Sequence, residues 1–267
     1  VFHDNFPINN APDLPQEEGL AGFKIIVEDA GGRYGMSAGA MMMDAFGNPI
    51  GTTYNPDGTV AMMGNGYVLT DANGEAVIKN LAPGKYGILA VPPPDTNWAQ
   101  TSTIEGTRVI DAWVKANEPP FFAEFGPPGW HVFFGFVNPM NDTTVLTGGS
   151  SITGQVVNLH LSRPPDYAFY NGAPFGHTTP WVGLNLGPAG RGVFAKRCNS
   201  DGTFEIPNVP PGDYQLVVWD DNLDLIFAFH GVSVEAGTDL ELGDVPVFQW
   251  FTRLEHFVFN DLNEDGF

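Results

Sequence analysis

Residues 70–91 read TDANGEAVIKNLAPGKYGILAV, and residues 198–219 read CNSDGTFEIPNVPPGDYQLVVW. Gly74 aligns with Gly202, Asn80 with Asn208, Pro83 with Pro211, Gly84 with Gly212 and Tyr86 with Tyr214, all at an offset of 128. Each copy follows one physical plan. Asn73-Gly74 and Asp201-Gly202 are tight-turn dipeptides, because Asn, Asp and Gly accept positive φ. A short alternating strand follows, then a Pro-Gly turn, then a strand carrying an aromatic. Each tyrosine is expected to pack and to hydrogen-bond nearby. An internal repeat of this kind predicts two like β-domains.

A second echo joins the two ends. Val1-Phe2-His3-Asp4 resembles Val258-Phe259-Asn260-Asp261 at an offset of 257, almost twice 128. We therefore expect one domain over 1–140, a second over 152–250, and the start of a further repeat at 254–267, as in a piece of a longer tandem array. Residues 138–151, NPMNDTTVLTGGSS, are turn-rich and read as the linker. Domain two opens on the alternating Ile152-Thr153-Gly154-Gln155-Val156, and strands are expected at 182–187, 192–198, 203–207, 213–220, 225–234 and 238–242. Short strands at such spacing predict a sandwich. Domain one carries the same core with a loop-rich insertion. The largely apolar 19–29 reads as a strand, and 107–116 as a short helix, because Ile110, Trp113 and Val114 share a face.

Composition agrees with an all-β reading. The chain has 267 residues, with 33 Gly and 23 Pro, about a fifth of the total against an ordinary ~12%. So much Gly and Pro disfavours a helical bundle. The apolar share of 43% disfavours disorder. With 11 Lys and Arg against 31 Asp and Glu, the net charge is −20. Nucleic acid is a poor partner for such a chain, because phosphate affinity comes from Lys and Arg. No run of ~18 apolar residues suggests direct membrane insertion. Cys198 is the single cysteine, so it forms no internal disulfide. Met36, Met41, Met42, Met43, Met62 and Met63 cluster within 36–66 and read as filler for irregular core gaps.

Two motifs point to a family. Val-Phe-x-Asp, an acidic patch, and Glu17-Glu18-Gly19-Leu20-Ala21-Gly22-Phe23 resemble the SdrD B-like repeats of Gram-positive adhesins. The Asp-x-x-Gly … Asn-Leu-x-Pro-Gly-x-Tyr run resembles the wider Cna-B, carboxypeptidase-regulatory-like group, a prealbumin-type sandwich. The resemblance implies two immunoglobulin-like β-sandwiches in tandem and an extracellular or cell-surface role in a stalk, adhesin or fibre. It also implies bound calcium.

Calcium has its own argument from residues. Asp261, Asn263 and Asp265, followed by Gly266, place oxygens at alternate positions of a turn, as a hard cation requires. Asp4, Asp13, Glu17 and Glu18 are the equivalent set near the start, although Phe6-Pro7 replaces an expected polar pair. The resemblance further implies an intramolecular amide between Lys24 and Asn138, with Glu118 or Glu124 promoting it. An exposed strand lysine is the plainer reading of Lys24.

The stretch 117–136, NEPPFFAEFGPPGWHVFFGF, is too apolar for a wholly exposed loop. Phe121, Phe122, Phe125 and Trp130 are therefore expected to form an assembly surface toward neighbouring repeats or identical subunits. A flat aromatic face of this kind is also suited to polysaccharide. Enzyme signals are weak. The six histidines have no zinc spacing, and no Gly-x-Ser-x-Gly elbow or phosphate loop occurs. The expectation is a non-enzymatic structural or adhesive module.

Overall fold

The two copies of the repeat adopt one local geometry. Gly74 and Gly202 take φ of 75° and 85°. Gly74 N–H donates to Asp71 O and Gly202 N–H to Asn199 O, closing the same turn. Asn80 and Asn208 both sit left-handed, at φ 64° and 59°. The Tyr86 hydroxyl donates to Ala82 O at 2.6 Å, and Tyr214 repeats the bond to Pro210 O at 2.9 Å. Each ring is buried while its hydroxyl satisfies a turn carbonyl. The same N-x-D-G-T turn occurs a further time at Asn55–Thr59, with the Asp57 carboxylate accepting from Thr59 as Asp201 accepts from Thr203.

This computed structural model describes residues 1–28, 43–103, 106–114, 131–160, 169–170 and 178–248. Its strands, in chain order, are β1 (Phe2–His3), β2 (Lys24–Glu28), β3 (Thr53–Tyr54), β4 (Val60–Met62), β5 (Val68–Leu69), β6 (Gly84–Val91), β7 (Ala99–Gln100), β8 (Ile110–Val114) and β9 (Gly135–Val137). They continue with β10 (Met140–Asn141), β11 (Ser150–His160), β12 (Phe169–Tyr170), β13 (Pro180–Asn185), β14 (Gly192–Arg197), β15 (Thr203–Val209), β16 (Gly212–Asp220), β17 (Ala228–Val234) and β18 (Leu240–Val247).

Each unit is a pair of sheets around a core. In the first, β5-β2-β6-β8 packs on β1-β9-β7. Alternation along β2 turns Ile25 and Val27 inward, where they meet Tyr86, Ile88, Phe134 and Phe136. In the second, β10-β14-β13-β16-β17 packs on a sheet of β12, β11, β15 and β18. Its core joins Val182, Leu184, Leu216 and Val218 to Ile152, Val156, Ile206 and Val245. Burying each such side chain stabilises by roughly 1.5–3 kcal/mol. The order β5-β2-β6-β8 parallels β14-β13-β16-β17, with the repeated strand third in both. In both units the opening strand also runs parallel to a late one, β1 beside β9 and β11 beside β18.

Three expectations change. Residues 107–116 contain β8, paired antiparallel with β6, rather than a helix. Ile110 and Ala112 also fit a period of two, and the β6 edge offers the pairing. The stretch 138–151 is no free linker, because β10 joins the second unit's sheet beside β14. Met43, Met62 and Met63 are exposed at 52%, 62% and 57%, so they fill no core gap. Met36, Met41 and Met42 lie outside the described residues.

Candidate functional site

The N-terminal loop that follows β1 is organised by two buried carboxylates. Asp4 Oδ1 accepts from Asn9 N–H at 2.9 Å, and Oδ2 accepts from Asn10 N–H at 2.9 Å and from the Thr101 hydroxyl. Glu17 Oε1 accepts from the N–H groups of Asn5 and Phe6 at 2.8 and 2.9 Å, and Oε2 from Asp13 N–H at 2.9 Å. Asn9 donates its side-chain amide to Asp13 at 2.7 Å. Five backbone donors that a short loop would otherwise leave unpaired are thereby satisfied.

The loop presents Ile8, which is fully buried against the second unit. Asn185 on β13 receives it like a peptide partner. Ile8 N–H donates to Asn185 Oδ1 at 3.0 Å, and Asn185 Nδ2 donates to Ile8 O at 3.0 Å. Gly192 N–H adds a bond to Asn5 O at 2.8 Å. The socket depends on two glycines. A Cβ on Gly192 would stand 2.8 Å from Ile8 Cγ1, and one on Gly183 would stand 3.0 Å from Cδ1. Val137, Ala195, Val217, Trp219 and Leu223 complete the apolar contact. Every residue of β13 is buried. One of its faces fills the second unit's core, and the other receives the first unit.

Asp221 pins the rim. Its backbone oxygen accepts from Arg108 Nε at 2.9 Å, and its carboxylate accepts from Trp181 Nε1 at 2.6 Å and from Arg197. Behind it, Trp181 and Trp219 stack with centroids 5.7 Å apart, and Phe227 stacks on Trp219 at 5.7 Å.

Burial pushes the Asp4 carboxyl up to about 7, and the Glu17 charge adds to the rise, outweighing the hydrogen bonds from Thr101, Asn9 and Asn10. Burial also raises Glu17 and lowers His3, whose Nδ1 lies 3.7 Å from Glu18.

The expected N-terminal calcium ligands do not fit a cage. Asp4 and Glu17 each already accept from three donors, and calcium needs six to eight oxygens of its own. Glu18 is exposed and faces His3, while Asp13 holds Asn9. Among the described residues, no group of three or more His, Cys, Asp or Glu gathers around a common point. Asp261, Asn263 and Asp265 lie outside the described residues, as do Phe121, Phe122, Phe125, Trp130, Glu118 and Glu124. Lys24 holds its ammonium 4.6 Å from the Tyr67 ring, and Asn138 is half-buried after β9. Burial lifts the Cys198 thiol to about 12, which leaves it a poor nucleophile. A cavity of about 480 Å³ opens in the first unit beside Ile25, Ile78, Leu81 and Ile88.

Sequence reasoning missed the Ile8 joint. Its one legible sign was Gly183 between Val182 and Leu184, since a glycine inside a strand marks a close approach.

Residues 193–242 match the family model described as polysaccharide lyase family 4, domain II. No curated protein matches the chain. Among solved structures, the minor pilin GBS52 of Streptococcus agalactiae is similar at 10% identity, covering 91% of this chain and 89% of that one, with a TM-score of 0.30. The shaft pilin SpaA of Lactobacillus rhamnosus GG is similar at 8% identity, with coverages of 92% and 94% and a TM-score of 0.26. A chain of the type II cohesin–X-dockerin complex of Acetivibrio cellulolyticus is similar at 18% identity and a TM-score of 0.27 over 38% of this chain. The chain spans 58% of that relative's length. Among the described residues, no helix is long and apolar enough to cross a membrane.

Proposed function

We propose that this chain is a non-enzymatic structural module of an extracellular stalk or fibre. The observation that carries the reading is the Ile8 joint, which fixes two sandwiches into one stiff piece. Rigid spacing is what a stalk needs. A formal net charge of −20 keeps such a polymer dispersed. Identical subunits or further repeats are the partners, with Phe121, Phe122, Phe125 and Trp130 as the assembly surface. Antibody against the folded chain, applied to intact cells of the source organism, should decorate the surface in elongated tracks under electron microscopy. Label found only after lysis would overturn the reading.

Calcium is part of this proposal only at Asp261, Asn263 and Asp265, where the alternate spacing of oxygens supports it. The alternative reading is polysaccharide binding, favoured by the match of 193–242 to a polysaccharide lyase domain. It requires glycan-array binding that Trp130→Ala abolishes, and no binding across the array would remove it.

A further inference from the structure

We infer from the strand topology that the second unit is a tension clamp, built to resist stretching along the chain, while the first unit gives at lower force. The inference takes its biological purpose from the stalk reading, but its mechanics stand on register alone.

Once the two partner pairs that hold β10 on β14 part, tension reaches the second unit through the start of β11 and the end of β18, its last described strand. The two strands are parallel neighbours, with partners running from Ile152 and Leu240 to Asn158 and Val247. Tension along the chain therefore draws β11 one way and β18 the other, along their shared axis. Interstrand hydrogen bonds lie across that axis. All six partner pairs are loaded together, so none opens ahead of the rest. A hairpin pulled at its ends differs, because it peels one bond at a time.

The core adds a second resistance. Ile152 and Val156 on β11, and Val245 and Val247 on β18, are all buried in one cluster. A one-residue slip along β11 turns that inward set toward solvent. The register step between Thr153 and Gln155, with Gly243 left-handed at φ 64°, gives the ladder a notch against sliding.

The first unit repeats the layout in a shorter form. β1 runs parallel to β9 through Phe2 with Gly135 and His3 with Phe136 only. Its backbone bonds to β9 and its flank are Phe2 N–H to Phe134 O at 2.9 Å and Asp4 N–H to Phe136 O at 3.0 Å. Two partner pairs against six set the order of failure.

Single-molecule force spectroscopy on the full chain, held at its two ends, tests this. Two unfolding events are expected. The higher-force one releases the 150–247 segment, a gain of about 30 nm. A second geometry controls for stability. A handle grafted at the exposed turn residue Asp201, used with the C-terminal handle, pulls from the end of the ladder where Val247 lies, since Gly202 O bonds Val156 N–H there. This direction peels β18 away, and the unfolding force should fall at least twofold at an unchanged melting temperature. Equal forces in the two geometries, or second-unit unfolding ahead of the first, would overturn the clamp. Neither result bears on where the protein resides, which the surface labelling decides separately.

Discussion

Ile8→Ala should uncouple the two sandwiches. The side chain is fully buried, and its socket walls include backbone at Gly183 and Gly192 that has no side chain to collapse inward. Truncating a buried isoleucine costs about 2–5 kcal/mol, with the upper part of the range reserved for sites that cannot relax. Here the loss falls on the joint and not on either core. Calorimetry should resolve separate transitions for the two units, and small-angle scattering should report a wider spread of interdomain distances. Ile8→Val keeps most of the contact and should cost only about 0.5–1.5 kcal/mol. Gly192→Ala attacks the same contact from the other side, and its cost should shrink in an Ile8→Ala background, because the clash partner is gone. Unchanged calorimetry and scattering in Ile8→Ala would show that Arg108, Asp221 and β10 hold the joint without the plug.

Stability should rise as the solution is acidified from above pH 7 toward pH 4. Asp4 is held near 7 in the folded chain against an ordinary value of 3.8. The folded state thus binds this proton more tightly than the unfolded one. Its stabilising contribution is complete below the unfolded value and is lost as pH climbs through the folded one. The span between those values corresponds to about 4 kcal/mol for this fully buried group. Glu17 and Asp220 are raised by burial and act in the same direction, while lowered His3 acts against them. Chemical denaturation at several pH values checks the slope. Asp4→Asn should reduce it by about one proton between pH 4 and 7. A slope unchanged by Asp4→Asn would mean that Asp4 titrates normally.

Local order was readable because it is made of local chemistry. The 128-residue echo led to turns, left-handed asparagines and tyrosine hydroxyls that match pair by pair in space. Strands of the second unit were legible because β15 and β17 alternate over much of their length and turn residues such as Asn199, Gly202 and Gly237 separate the short apolar runs. β8 was misread because Ile110 and Val114 satisfy a helical and a strand period alike, and only the waiting edge of β6 decides between them. The joint was hidden for a different reason. Ile8 and Asn185 are 177 positions apart, and Gly183 marks a close approach without saying which segment makes it. Asp4 and Glu17 were visible as acids, but their task was not. A carboxylate that meets backbone N–H groups and one that meets a cation look alike in a sequence, and only the loop path separates them.

The ring stack behind Asp221 gives the joint an optical identity. Trp181 and Trp219 lie nearly parallel, stacked at 21° and 5.7 Å between centroids. Indoles at that spacing share their electronic excitation, so their near-ultraviolet circular dichroism belongs to the pair and not to either ring. Both rings belong to the cluster that surrounds Ile8. Because the two rings are cross-strand partners within the second unit, their coupling survives undocking, and what docking changes is their exposure to water, which tryptophan fluorescence reads while each sandwich stays folded.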